Sequence, residues 1–163
     1  MIVFDSSTLI LLAKIELLDL LIKSYKGGLL IPKTVEREST KKATFDSLLI
    51  QKRIEEGKIK IKEIDDKNME IFMRDFNIDL GEAEAISLAL SNNSLLATDD
   101  KNAINACRLL KIPFTTAIDV LVRAKEKGLT TKEEAFSKME KLAIYGRYKA
   151  EIIEDAKRRI DRR

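Results

Sequence analysis

Apolar residues along this chain recur in two rhythms that alternate. The opening Met1-Ile2-Val3-Phe4 is a short β-branched and aromatic run that stops at Asp5. Over residues 9–22 the apolar positions return every three or four residues, the spacing of a helix face. Gly27-Gly28 breaks that pattern, and Leu29-Leu30-Ile31 reads as a second strand. Pro32 is placed to start a helix, since proline is tolerated in the first turn. That helix is expected to run towards Glu56, with a break near Ser39-Thr40. Ile59, Ile61 and Ile64 form a weaker strand-like stretch, followed by helical patterns over about 66–76 and 80–90. Residues 94–98 form a buried strand ending at Asp99-Asp100, and 101–110 a helix. A short edge strand at 112–114 and helices over 118–126, about 131–142 and 149–160 complete the pattern. Strands alternating with helices predict an α/β fold: a small parallel β-sheet sandwiched by helices, with extra C-terminal helices.

A length of 163 residues suits one domain, 1–163, with about 129–163 as a helical extension packed on it. No apolar run approaches the ~18–20 residues of a membrane span, and no basic-then-apolar signal segment opens the chain. A cytoplasmic protein without a membrane segment is expected. The single cysteine, Cys107, excludes an internal disulfide framework and a cysteine-rich zinc site; it shares a helix face with Ala103 and Leu110 and reads as a core thiol. The absence of histidine is more decisive. It removes triads with a histidine base and the HExxH zincins, so any catalysis must run on carboxylates, hydroxyls, lysines or a carboxylate-bound metal.

Net charge is +3, and its placement says more than its size. Residues 147–163 carry seven basic and four acidic side chains, and the remainder balances at 23 against 23. A basic tail on a neutral body suits an anionic partner such as RNA; a solvated helix is the plainer reading of the tail alone.

Two acids terminate apolar strands: Asp5 after Ile2-Val3-Phe4, and Asp99 or Asp100 after Leu95-Leu96-Ala97-Thr98. In an open parallel sheet the carboxyl ends of the strands form the ligand crevice. Aspartates there also serve as helix N-caps, but two at the same sheet end, one of them doubled, exceed what capping needs. Glu82 shares a helix face with Ala85, Ile86 and Ala89, and has capping-box spacing from Asp79. Glu84 lies on another side and reads as solvated. Glu38 shares the face of Val35, whereas Glu36 is rotated roughly 100° from it.

Four ordered segments resemble the PIN-domain nucleases, and within them the prokaryotic toxin (VapC-like) branch. Ile2-Val3-Phe4-Asp5-Ser6-Ser7-Thr8-Leu9-Ile10 resembles the opening strand, aspartate and small hydroxyl residues. Ile31-Pro32-Lys33-Thr34-Val35-Glu36-Arg37-Glu38 resembles I-P-x-x-V-x-x-E, which places the second acid on Glu38. Gly81-Glu82-Ala83-Glu84-Ala85-Ile86 with Leu88-Ala89-Leu90 resembles the G-E-A-E-A-I-x-L-A-L helix, with Glu82 where many relatives carry Asp. Thr98-Asp99-Asp100-Lys101 resembles the T-x-D segment and places the last acid on Asp100. The resemblance covers about residues 1–128.

It implies a metal-dependent ribonuclease, in prokaryotes often the toxin of a toxin–antitoxin pair. Asp5, Glu82 and Asp100 would hold Mg²⁺, with Mn²⁺ as a substitute, and Glu38 would orient the attacking water. Ser7, Thr98 and Asp99 would support these acids. Lys14, Arg37, Lys101, Arg158 and Arg159 would contact RNA, with Lys157, Arg162 and Arg163 adding to the tail. A homodimer and an antitoxin protein are the expected partners. Two carboxylates about 5 Å apart repel by roughly 3 kcal/mol at an effective dielectric of 20, so a cluster of four must bind cations or hold some protons. Two rivals stand beside the nuclease: a PIN-fold module that binds RNA or protein without cutting, and a receiver-like phosphorylation switch. The latter leaves the Glu38 and Glu82 segments unexplained.

Overall fold

A computed structural model of the chain describes residues 1–65 and 67–162. The five strands described are β1 (Ile2–Phe4), β2 (Leu29–Pro32), β3 (Ile59–Lys62), β4 (Leu95–Ala97) and β5 (Phe114–Thr115). They form one parallel sheet in the order β3-β2-β1-β4-β5. Helices α1 (Ser6–Lys14), α2 (Leu18–Ser24), α3 (Lys33–Thr40) and α4 (Phe45–Glu55) connect the first three strands. Helices α5 (Met69–Phe76), α6 (Leu80–Ser91) and α7 (Lys101–Leu110) flank β4, and α8 (Ala117–Glu126), α9 (Lys132–Tyr145) and α10 (Ala150–Asp161) follow β5.

The two-residue period of the strands splits the core into two layers. Ile2, Phe4, Leu29, Ile31 and Ala97 face a cluster with Leu9, Leu12, Val35, Ile50 and Leu121. Val3, Leu30 and Leu96 face the opposite cluster, with Ala85, Ile86, Ala106 and Cys107. The result is the expected helix–sheet–helix arrangement. Met139 and Leu142 of α9 and Ile153, Ala156 and Ile160 of α10 enter the first cluster, so the C-terminal helices share the core of the body. Cys107 is fully buried, and burial pushes its thiol up to about 11. Among the described residues no helix is long and apolar enough to cross a membrane.

Three elements depart from the periodicity. The helix expected over 9–22 is two helices, because the stripe Leu9-Leu12-Ala13 would next place Glu16 in the core. Glu16 instead adopts φ 60°, stays exposed, and lets Ile15, Leu17 and Leu18 be buried. The helix expected from Pro32 stops at Thr40. There the Ser39 and Thr40 hydroxyls donate to the carbonyls of Val35 and Glu36, both at 2.7 Å, competing with the next helical turn. Pro32 itself ends β2 and caps α3. The edge strand lies at Phe114–Thr115, starting two residues later than expected, since Pro113 has no N–H and contributes only its carbonyl, to Leu96. Position 66, expected to begin the α5 helix, lies outside the described residues, as does Arg163.

Candidate active site

β1 and β4 are neighbours running the same way, so Asp5 and the Asp99-Asp100 pair emerge at one end of the sheet. Asp5 is 2% exposed and caps α1. Its Oδ1 accepts from the Thr8 backbone N–H at 2.9 Å, and its Oδ2 from the Thr98 hydroxyl at 2.5 Å. Burial nevertheless outweighs these bonds and pushes its carboxyl up to about 6.

The doubled aspartates are divided by their bonds. Asp99 turns to the body of the protein, accepting from the Thr8 hydroxyl (2.7 Å), the Tyr148 hydroxyl (2.6 Å) and the Ala117 N–H (3.2 Å). Burial raises its carboxyl, and those donors hold it down. Asp100 caps α7 through the Ala103 N–H at 2.9 Å, is only half-buried, and puts its charge on Glu82.

Glu82 sits in a true capping box at the start of α6. Its Oε2 accepts from the Asp79 N–H at 3.0 Å, while the Asp79 Oδ1 accepts from the Glu82 N–H at 2.8 Å. Capping does not exhaust this carboxylate. Burial first, then the charges of Asp79, Asp100 and Asp5, push it up to about 7.

Glu38 approaches from α3. Burial and the charge of Asp79 raise its carboxyl, and a bond from Ser6 partly offsets them. Its Oε1 is buried without a hydrogen-bond partner. Gly81 makes room for it: a Cβ there would run into Oε1. Glu36 faces away and pairs with Lys33 at 3.5 Å. Glu84 corrects the sequence reading, being half-buried rather than solvated. It accepts from the Thr34 hydroxyl at 2.7 Å and adds its charge to Glu38.

Of the three supporting residues, Thr98 and Asp99 touch this network and Ser7 does not; Ser7 is exposed, and Ser6 and Thr8 occupy the positions expected of it. The helical period turns the middle of three consecutive hydroxyl residues outward. Thr8 had a sequence signal, standing three residues after an N-cap. The Tyr148 bond to Asp99 had none, because 49 residues separate them. The five basic residues assigned to RNA disperse. Lys101 and Arg159 line one groove beside Asp99. Lys14 lies over the Tyr145 ring, Arg37 donates to Thr34, and Arg158 pairs with Asp155.

Among the described residues, no three of His, Cys, Asp or Glu stand close enough together to ligate one ion simultaneously. Mg²⁺ does not require that, since it usually keeps several waters and takes one or two carboxylates. The donors here are all hard oxygens. Burial and neighbouring carboxylates raise two carboxyls, Asp5 to about 6 and Glu82 to about 7, and one buried carboxylate oxygen lacks a partner. A divalent cation suits this set.

An α/β/α body with carboxylates gathered at the carboxyl end of its parallel strands is a nuclease-like fold. A family model described as a PIN domain matches residues 1–162, and the chain belongs to the PIN-domain family, whose members are generally nucleases that use divalent metals. No curated protein and no solved structure matches the chain.

Proposed function

We propose that this chain is a divalent-metal-dependent endoribonuclease acting by hydrolysis at Asp5, Glu38, Glu82 and Asp100. The observation that carries the proposal is the gathering of Asp5, Glu82 and Asp100 at one end of the parallel sheet, where the charges of Asp5 and Asp100 raise the Glu82 carboxyl. Three carboxylates from three separate elements share one field, and two of them sit well above the carboxylate range. With its protons lost, such an arrangement opposes folding unless it binds a cation.

Asp5, Glu82 and Asp100 would hold Mg²⁺ or Mn²⁺ between them, one or two directly and the rest through bound water. When bound, the metal supplies an activated water and offsets the charge that builds on the phosphate. The chain's own residues do the positioning. Thr8 and Thr98 hold both Asp5 oxygens, the Asp79 capping box orients Glu82, and the first turn of α7 orients Asp100. Glu38 Oε1 is left to accept a hydrogen bond from the attacking water and set its direction. Asp99 takes no part in cleavage. Its three donors make it a brace between α1, the start of α8 and the segment before α10.

One domain over 1–163, a homodimer, an antitoxin protein as partner and a cytoplasmic setting belong to the same reading, supported by the sequence resemblance. Incubation with a panel of RNAs in Mg²⁺ and in excess chelator tests the activity. Metal-dependent fragments are expected. Intact RNA under every metal condition would leave the non-cutting binding module as the better account.

A further inference from the structure

We infer that Tyr148 is a positioning residue for the carboxylate site, holding Asp5 in place through Asp99 and Thr8, an inference that rests on the metal-dependent reading above. Tyr148 lies in the short segment between α9 and α10, which starts where Gly146 closes α9 and ends where Lys149 opens α10. Its ring packs against the first core cluster and against Gly146, where a Cβ would collide with it. Its hydroxyl donates to Asp99 Oδ1 at 2.6 Å. Burial and the charges of Asp99, Asp5 and Asp119 push the phenol well above its ordinary range, so it stays protonated and acts as a donor.

One side chain carries the link onward. Thr8 donates its hydroxyl to Asp99 Oδ2 at 2.7 Å and its backbone N–H to Asp5 Oδ1 at 2.9 Å. A single residue therefore joins the two aspartates, and what fixes Asp99 also fixes the first turn of α1 that holds Asp5. Two donors besides Thr8 fix Asp99. The Ala117 N–H is shared between both oxygens at 3.3 and 3.2 Å, whereas Tyr148 makes a short bond to one of them. Short bonds to a carboxylate are the strong ones, so the direction of Asp99 depends on Tyr148. The charge at this point separates positioning from plain bracing. A strut between the C-terminal helices and the body needs only an uncharged acceptor, and a carboxylate here adds to the repulsion that raises Asp5. A cation at Asp5 benefits from the same charge, because a carboxylate fixed behind a ligand adds attraction and orients it. With phenylalanine in place of Tyr148 the charge stays and its direction is lost.

The test is Mn²⁺ affinity, measured by calorimetry on the full chain without RNA, for wild type, Tyr148→Phe, Thr8→Val and the double variant. Both substitutions keep the shape of the side chain and remove one hydroxyl. Each single variant is expected to bind Mn²⁺ about tenfold more weakly than wild type. The double variant should lose little more than either, because both hydroxyls serve the same carboxylate. Tyr145→Phe removes a hydroxyl from the exposed end of α9 and should bind as wild type does. With RNA present, kcat of Tyr148→Phe should fall while KM stays near wild type, since Tyr148 acts on the cation site. A strut alone would lower the unfolding midpoint and leave the Mn²⁺ affinity of the folded chain unchanged. Wild-type affinity in Tyr148→Phe, or single losses that multiply in the double variant, would overturn the inference. The nuclease reading fails separately. Wild-type Mn²⁺ binding by Tyr148→Phe alongside metal-dependent RNA cleavage removes the role of Tyr148 and leaves the nuclease standing. The expected affinities with RNA left intact remove cleavage and leave Tyr148 at a metal site, and no Mn²⁺ binding by wild type overturns both.

Discussion

Asp5→Asn and Asp100→Asn should each lower metal-dependent RNA cleavage by about 10²-fold or more while leaving the fold intact. The fold survives because every bond these side chains make has an amide equivalent. An asparagine at position 5 keeps Oδ1 for the Thr8 N–H, and its amide nitrogen meets the Thr98 hydroxyl, which rotates to accept. An asparagine at position 100 is as good an N-cap as aspartate for the Ala103 N–H. Activity falls because an amide brings no charge and a weaker oxygen donor to the cation. Glu36→Gln is the control, since that carboxylate pairs with Lys33 on the far side of α3. Glu84→Gln is unsuitable for that purpose, as Glu84 holds Thr34 and acts on Glu38. Cleavage rates and circular dichroism of the four proteins check this. Near-wild-type rates from both Asn variants would remove the two aspartates from the mechanism.

The metal-free protein should lose stability as pH rises from about 4 to about 7, and Asp5→Asn should remove much of that loss. Asp5 moves from 3.8 to about 6 on folding, and Glu82 from 4.5 to about 7. Between those limits the folded state holds protons that the unfolded state has released, so unfolding becomes easier as pH increases. Below about pH 4 both states are protonated and the penalty is absent; above about pH 7 it is complete. A shift of this size at buried Asp5 corresponds to about 3 kcal/mol, while the half-exposed Glu82 adds less because solvent screens it. At pH 8 in chelator, Asp5→Asn should therefore be more stable than wild type by about 2–3 kcal/mol, and at pH 4 the two should be equal. Denaturant titrations at several pH values measure this. Parallel curves for the two proteins across the range would show that burial does not strain Asp5.

Most of the architecture was legible because strand and helix rhythms differ and β1, β2 and β4 are short and wholly apolar, while β3 alternates Ile and Lys. Helix α7 begins and ends where its pattern does, since Asp100 caps it and Lys111 closes it at φ 58°. The breaks were harder to read. Glu16 interrupts a helix only because the core needs Ile15, Leu17 and Leu18 on one side, a tertiary demand that local spacing does not express. The same contrast holds at the site. Asp5, Glu82 and Asp100 stand at strand ends and helix starts, and their motifs mark them. The choice of Asp99 as brace depends on Tyr148 and Ala117, which the chain reaches only after β5. Gly81 looked like one letter of a motif; its job is to leave space for a carboxylate from another helix.

The most direct measurement is a calorimetric titration of Mn²⁺ into the wild-type chain, Asp5→Asn and Asp100→Asn at about pH 6.5, in buffers of different ionisation enthalpy. Wild type should bind the ion and release protons, because Glu82 and Asp5 are still partly protonated there and must give up those protons to act as ligands. Both variants should bind at least about tenfold more weakly. Equal affinity in all three proteins, or no binding by wild type, would contradict a metal site built on these carboxylates.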